Sequence, residues 1–126
     1  MLKVAAHPEI RPRSGTALEA EGACRFVEGL VAAALGARVA ELRARSRGRK
    51  PTAFARQMAM YLAHVKLGLS LTRVGEHFGR DQITVAHACA CIEDSRDDPR
   101  RERILACLEV ALGRWQHSFG ATGSAR

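Results

Sequence analysis

Apolar residues recur every three to four positions along most of this chain, and no segment alternates apolar and polar positions as a half-buried strand would. Ala23, Phe26, Val27, Leu30, Val31 and Ala34 share one helical face, and Gly36 stands where that helix should stop. Val39 and Leu42 mark a short segment that extends the first helix after a kink or forms a turn of its own, with Glu41 and Arg45 four apart. Over residues 52–66, Phe54, Met58, Tyr61, Leu62 and Val65 line one face and Gly68 follows the end. This is the longest central helix and the expected organiser of the core. Leu71, Val74 and Phe78 form a shorter stripe behind Ser70, a suitable N-cap. Asp98, with Asp97 beside it, precedes Pro99 and opens a last helix, whose buried stripe is Ile104, Leu105, Leu108, Ala111, Leu112 and Trp115. The pattern predicts an all-α, compact helical domain without internal repeats or a coiled-coil heptad run.

The densest information lies in residues 78–88. Phe78, Gly79 and Arg80 interrupt the helical pattern, Asp81 can accept from the free N–H groups of a new first turn, and Val85, Ala88, Cys89 and Ile92 resume a core face at i, i+3, i+4 and i+7. Gln82, Ile83, Thr84 and His87 then look away from the core. Two short helices joined by a tight glycine-containing turn make a helix-turn-helix, a unit whose second helix typically enters the DNA major groove by its N-terminal end. Many helix pairs without any nucleic-acid role share this spacing.

The runs RQMAMYLA (residues 56–63), SLTRVGEHFG (70–79) and RDQITVAHA (80–88) resemble the C-terminal duplex-binding domain of the bacterial chromosomal replication initiator DnaA, over about residues 20–114. The resemblance implies a Trp repressor-like, all-helical domain in which a basic loop enters the minor groove while the recognition helix reads the adjacent major groove of an initiator box. It implies that Arg56 and Gln57 face the DNA, Arg56 at a phosphate or the minor groove and Gln57 at a phosphate. Asp81, Thr84, Val85, His87 and Ala88 match the family pattern directly. Two departures stand out. The family usually has two glycines where Gly79 here leads directly to Arg80, and Asp81-Gln82-Ile83-Thr84 replaces Asp-His-Thr-Thr. Gln can pair bidentately with adenine, and Ile83 could contact a thymine methyl. In that family the ATPase domain is a separate upstream segment, for which this chain has no room.

Charge sharpens the picture. With 126 residues the chain suits one domain, and its net charge of +7 favours a polyanionic partner. Between positions 38 and 56 stand Arg38, Arg43, Arg45, Arg47, Arg49, Lys50 and Arg56, against the single acid Glu41. Such a run also serves as a plain solvated loop. It ends at Pro51, however, next to a helix start whose free N–H groups attract phosphate as well. The resemblance implies that one of Arg45, Arg47 and Arg49 enters the minor groove. The expected DNA-binding residues are therefore Arg45, Arg47, Arg49, Lys50, Arg56, Gln57, Arg80, Asp81, Gln82, Ile83, Thr84 and His87.

Other chemistry finds little support. Cys24, Cys89, Cys91 and Cys107 have no disulfide-framework spacing, and no secretory or membrane-spanning segment is evident, so a reducing cytoplasm, at the nucleoid, is expected. His87 and Cys91 can share a helical face, but Cys89 lies about 200° away and no second pair completes a zinc site. His64, Glu76 and His77 lack a nucleophile or a convergent carboxylate, and no Walker motif is present, so neither catalysis, a metal nor a cofactor is expected. Met58 and Tyr61 belong to packing. Residues 1–19 read as a flexible arm, 20–117 as the DNA-binding domain and 118–126 as a disordered tail. The function expected is sequence-specific binding of double-stranded DNA that regulates replication initiation. A promoter-binding transcription regulator and an adaptor of the initiator or helicase loader are the alternatives.

Overall fold

Local backbone chemistry sets most helix boundaries. The computed structural model describes residues 17–44 and 50–120, and among them every regular element is helical. Helix α1 (Ala17–Leu35) ends at Gly36, whose φ of 72° suits a residue without Cβ. Helix α2 (Val39–Arg43) is a separate short piece. Helix α3 (Lys50–Tyr61) starts two residues before the predicted onset. It continues through a widened turn, Leu62–Lys66, in which the Leu67 N–H donates to the Leu62 carbonyl five residues back.

Ser70 caps α4 (Leu71–Phe78), its hydroxyl accepting from the Arg73 N–H at 3.1 Å. Asp81 caps α5 (Gln82–Ser95), and Asp98 caps α6 (Pro99–Trp115), after which a widened turn, Gln116–Gly120, enters the stretch expected to be tail. Helix α1 likewise begins inside the stretch expected to be arm. Residues 1–16 and 121–126, which make up most of that arm and tail, lie outside the described residues.

Helix α3 occupies the centre, packed against α1, α2, α4 and α5. Met58, Met60, Tyr61 and Leu62 are buried there with Val27, Val31, Leu42, Phe78, Cys89, Ile92, Leu105 and Leu112. Each fully buried Leu, Ile, Phe or Met contributes about 1.5–3 kcal/mol through removal from water. One face differs from expectation. Ala34 is exposed and Phe26 is 37% exposed, while Cys24, Val27, Glu28 and Val31 point inward. The sandwiching of α1 by α3, α4 and α6 rotates its buried face, and Phe26 instead stacks on Trp115 with ring centroids 4.6 Å apart.

A polar bolt closes the far end of the bundle. Arg96, at the junction of α5 and α6, donates to both Glu102 oxygens, to both Glu109 oxygens and to the Tyr61 hydroxyl, and that hydroxyl donates to Glu93 at 2.7 Å. Glu109 first, then Glu102, hold the guanidinium firmly in its charged form.

Between α4 and α5 the chain folds back with almost no room. The Arg80 N–H donates to the Gly75 carbonyl at 2.9 Å, and a Cβ placed on Gly75 would stand 2.3 Å from the Arg80 carbonyl oxygen. Gly79 follows α4 at φ 67°, in the left-handed region. These two glycines let the shortened turn close. Gly75→Ala should therefore destabilise the domain by about 1–3 kcal/mol, because the overlap is with backbone rather than with a movable side chain, and should lower the thermal midpoint. Leu108→Ala, at a position 5% exposed, should cost about 2–5 kcal/mol in denaturant titrations, and a near-neutral result would contradict the packing of α6.

Candidate nucleic-acid interface

The first turn of α5 is held from below and open above. Asp81 adopts extended backbone, and its carboxylate accepts from the Thr84 N–H at 2.7 Å. That backbone bond, followed by the Thr84 hydroxyl, holds the Asp81 carboxyl below the usual range. Val85, Ala88, Cys89 and Ile92 are buried, while Gln82, Ile83, Thr84 and His87 are all exposed. Ile83, at 80%, is the most exposed large apolar side chain among the described residues. His87 Nε2 lies 3.5 Å from Cys91 Sγ, as their four-residue spacing allows.

The arginines nearest this row are engaged by the protein. Arg80, half-buried, donates through Nη1 to the Phe78 carbonyl at 2.9 Å and through Nη2 to the Ala44 carbonyl at 3.0 Å. Arg56 is only 5% exposed; its Nε donates to the Leu42 carbonyl at 2.8 Å and its Nη2 to the Glu41 carbonyl at 2.9 Å. Burial first, and the neighbouring Arg80 charge second, make Arg56 less basic than a free arginine. The expectation that Arg56 faces DNA meets a physical obstacle: α2 folds over its guanidinium and takes two of its donors. Gln57 is half-buried, Lys50 opens α3, and Arg45, Arg47 and Arg49 lie outside the described residues.

Sequence reasoning missed the acid that joins α1 to this region. Glu28 is fully buried, and its Oε2 lies 2.9 Å from Arg43 Nε, an ion pair, and 3.1 Å from His77 Nε2, both contacts without hydrogen-bond alignment. Its place beside Val27 and Val31, on the true buried face of α1, was the available signal. A cleft of about 320 Å³ is lined by Ala20, Glu21, Arg43, Arg73, Glu76 and His77, and none of the exposed α5 residues reaches it. Burial, reinforced by Glu93, pushes the Cys89 thiol up to about 12, which suits a core residue rather than a nucleophile or ligand. Among the described residues no three His, Cys, Asp or Glu side chains gather as a metal would require, and no helix is long and apolar enough to cross a membrane.

A family model described as the bacterial dnaA protein helix-turn-helix matches residues 25–92, from α1 to the last buried position of α5. The chromosomal replication initiator protein DnaA of Microcystis aeruginosa is 43% identical over 72 residues, covering 56% of this chain and 16% of that protein. That of Symbiobacterium thermophilum is 37% identical over 94 residues, covering 73% and 19% respectively. A Thermoanaerobacter DnaA is 56% identical over 45 residues, covering 35% and 10%. The chain thus spans less than a fifth of the length of these relatives.

The Asp81 cap carries a pH signature. Its native carboxyl is more acidic than the ordinary 3.8, so its contribution to stability is present above that value and is lost as pH falls through the depressed native pKa. Asp81→Ala should lower the thermal midpoint at neutral pH, and the gap from wild type should close on acidification below about pH 4. A gap independent of pH would show that the charged cap does not hold the first turn of α5.

Proposed function

The chain belongs to the bacterial DnaA helix-turn-helix family, and from that premise we propose that it binds duplex DNA at initiator-box-like sites, with α5 entering the major groove by its N-terminal turn. The observation that carries this reading is the exposed row Gln82, Ile83, Thr84 and His87 on a helix whose opposite face is locked into the core. In this reading Gln82 pairs with adenine and Ile83 packs on a thymine methyl, while Thr84 and His87 complete the readout. Asp81 fixes the turn that presents them. The excess charge of residues 38–56, with Arg45, Arg47, Arg49 and Lys50 foremost, supplies phosphate and minor-groove contacts and most of the salt-dependent affinity, and Gln57 adds a phosphate contact. Its biological effect follows from occupying sites related to those of the initiator and so regulating replication initiation, without ATP hydrolysis of its own.

Fluorescence anisotropy with an initiator-box duplex and a scrambled duplex, each at low and physiological salt, tests this. Box preference should persist at physiological salt, whereas weak, equal binding that salt abolishes would overturn sequence reading. Thr84→Ala should reduce discrimination between the two duplexes by about 1–3 kcal/mol. Equal weakening on both would remove Thr84 from the base readers.

A further inference from the structure

The first turn of α5 aims one apolar side chain straight outward. Ile83 stands about 160° around the helix from the fully buried Val85, so it points away from the core. It is 80% exposed and sits between Gln82 and Thr84, both exposed and polar. The Asp81 cap, accepting from the Thr84 N–H at 2.7 Å, holds that turn in place. Of the outward residues Gln82, Ile83, Thr84 and His87, only Ile83 has no side-chain donor or acceptor. Helix chemistry does not call for isoleucine there, since a β-branched side chain gives up rotamer freedom in a helix, and at this exposure it adds little to the core. What it offers is a rigid apolar tip on a fixed turn.

We propose that Ile83 makes this domain a reader of the pyrimidine 5-methyl group, one that takes thymine or 5-methylcytosine and disfavours uracil or unmodified cytosine at the base pair it faces. The inference rests on the duplex-binding reading above and extends it to a chemical modification of the DNA. Among unmodified bases the thymine methyl is the apolar feature of the major groove, and 5-methylcytosine carries its methyl on the same ring carbon. The two bases differ at position 4, an acceptor oxygen in thymine and a donor amine in cytosine. A hydroxyl or an amide registers that difference, whereas an alkyl side chain does not. Removing one methyl group from water against Ile83 is worth about three- to tenfold in affinity. Methylation of a cytosine at that pair therefore tightens binding.

The test titrates wild type, Ile83→Ala, Ile83→Val and Thr84→Ala with initiator-box duplexes in which each thymine in turn is replaced by uracil, a change that removes the methyl alone. At physiological salt wild type should bind at least one of these duplexes about three- to tenfold more weakly than the parent, and Ile83→Ala should bind that pair of duplexes alike. Ile83→Val, still a branched alkyl side chain, should retain most of the difference, and Thr84→Ala should keep it. At the position so identified, a 5-methylcytosine·guanine pair should bind wild type about three- to tenfold more tightly than a cytosine·guanine pair, an advantage that Ile83→Ala should lack. Substitution at so exposed a position should leave the fold intact, which thermal midpoints check. Uracil tolerated at every position, a penalty that survives Ile83→Ala, or equal binding of the cytosine and 5-methylcytosine duplexes would overturn the inference, while preference for the box over a scrambled duplex would leave the functional reading standing. Equal binding of box and scrambled duplexes by wild type would remove that reading, and this inference with it.

Discussion

The close approach of the turn to α4 governs the rest of the proposed interface. With the Arg80 carbonyl lying where a side chain on residue 75 would begin, only glycine lets the chain reverse after Phe78 without displacing one helix from the other. The Arg80 N–H closes the same contact by bonding to the Gly75 carbonyl. The angle between α4 and α5 is thereby a backbone property, set before any surface side chain is considered. Asp81 then starts α5 at once, and the exposed row from Gln82 to His87 follows with no slack between core and surface.

Around that fixed corner, polar groups bind together helices that apolar packing alone would leave free to slide. Arg96 joins α5 to α6 and to Tyr61 of α3, Arg56 joins α3 to α2, and Glu28 joins α1 to Arg43 and His77. Buried ionic contacts add little net stability, because desolvation offsets their attraction. Their effect here is geometric. Directional bonds select one register among packings that Leu, Val and Met would tolerate almost equally.

The exposed row on α5 was legible because it needs only helical periodicity. Once Val85, Ala88, Cys89 and Ile92 define the inner face, the outward direction of Ile83 and Thr84 follows from about 100° per residue. Ser70, Asp81 and Asp98 were equally legible, since a cap bonds within three residues of itself. Arg56, Arg80 and Glu28 were not. Their partners lie on other helices, so an arginine in a basic run and an acid on a helix look alike in sequence whether they meet solvent or a buried carbonyl. Phe26 shows the same limit for apolar residues, because its period matched the stripe while the neighbours of α1 selected a different face.

By itself the sequence determined the order of the longer helices, the caps at Ser70, Asp81 and Asp98, the short turn and the outward row of α5, all of which rest on interactions among residues a few positions apart. Tertiary structure alone decided which face of α1 is buried, that Glu28 meets Arg43 and His77, and that Arg56 and Arg80 close on the end of α2. Those outcomes depend on where separate helices come to lie, and a side chain's partner across that space leaves no periodic mark along the chain.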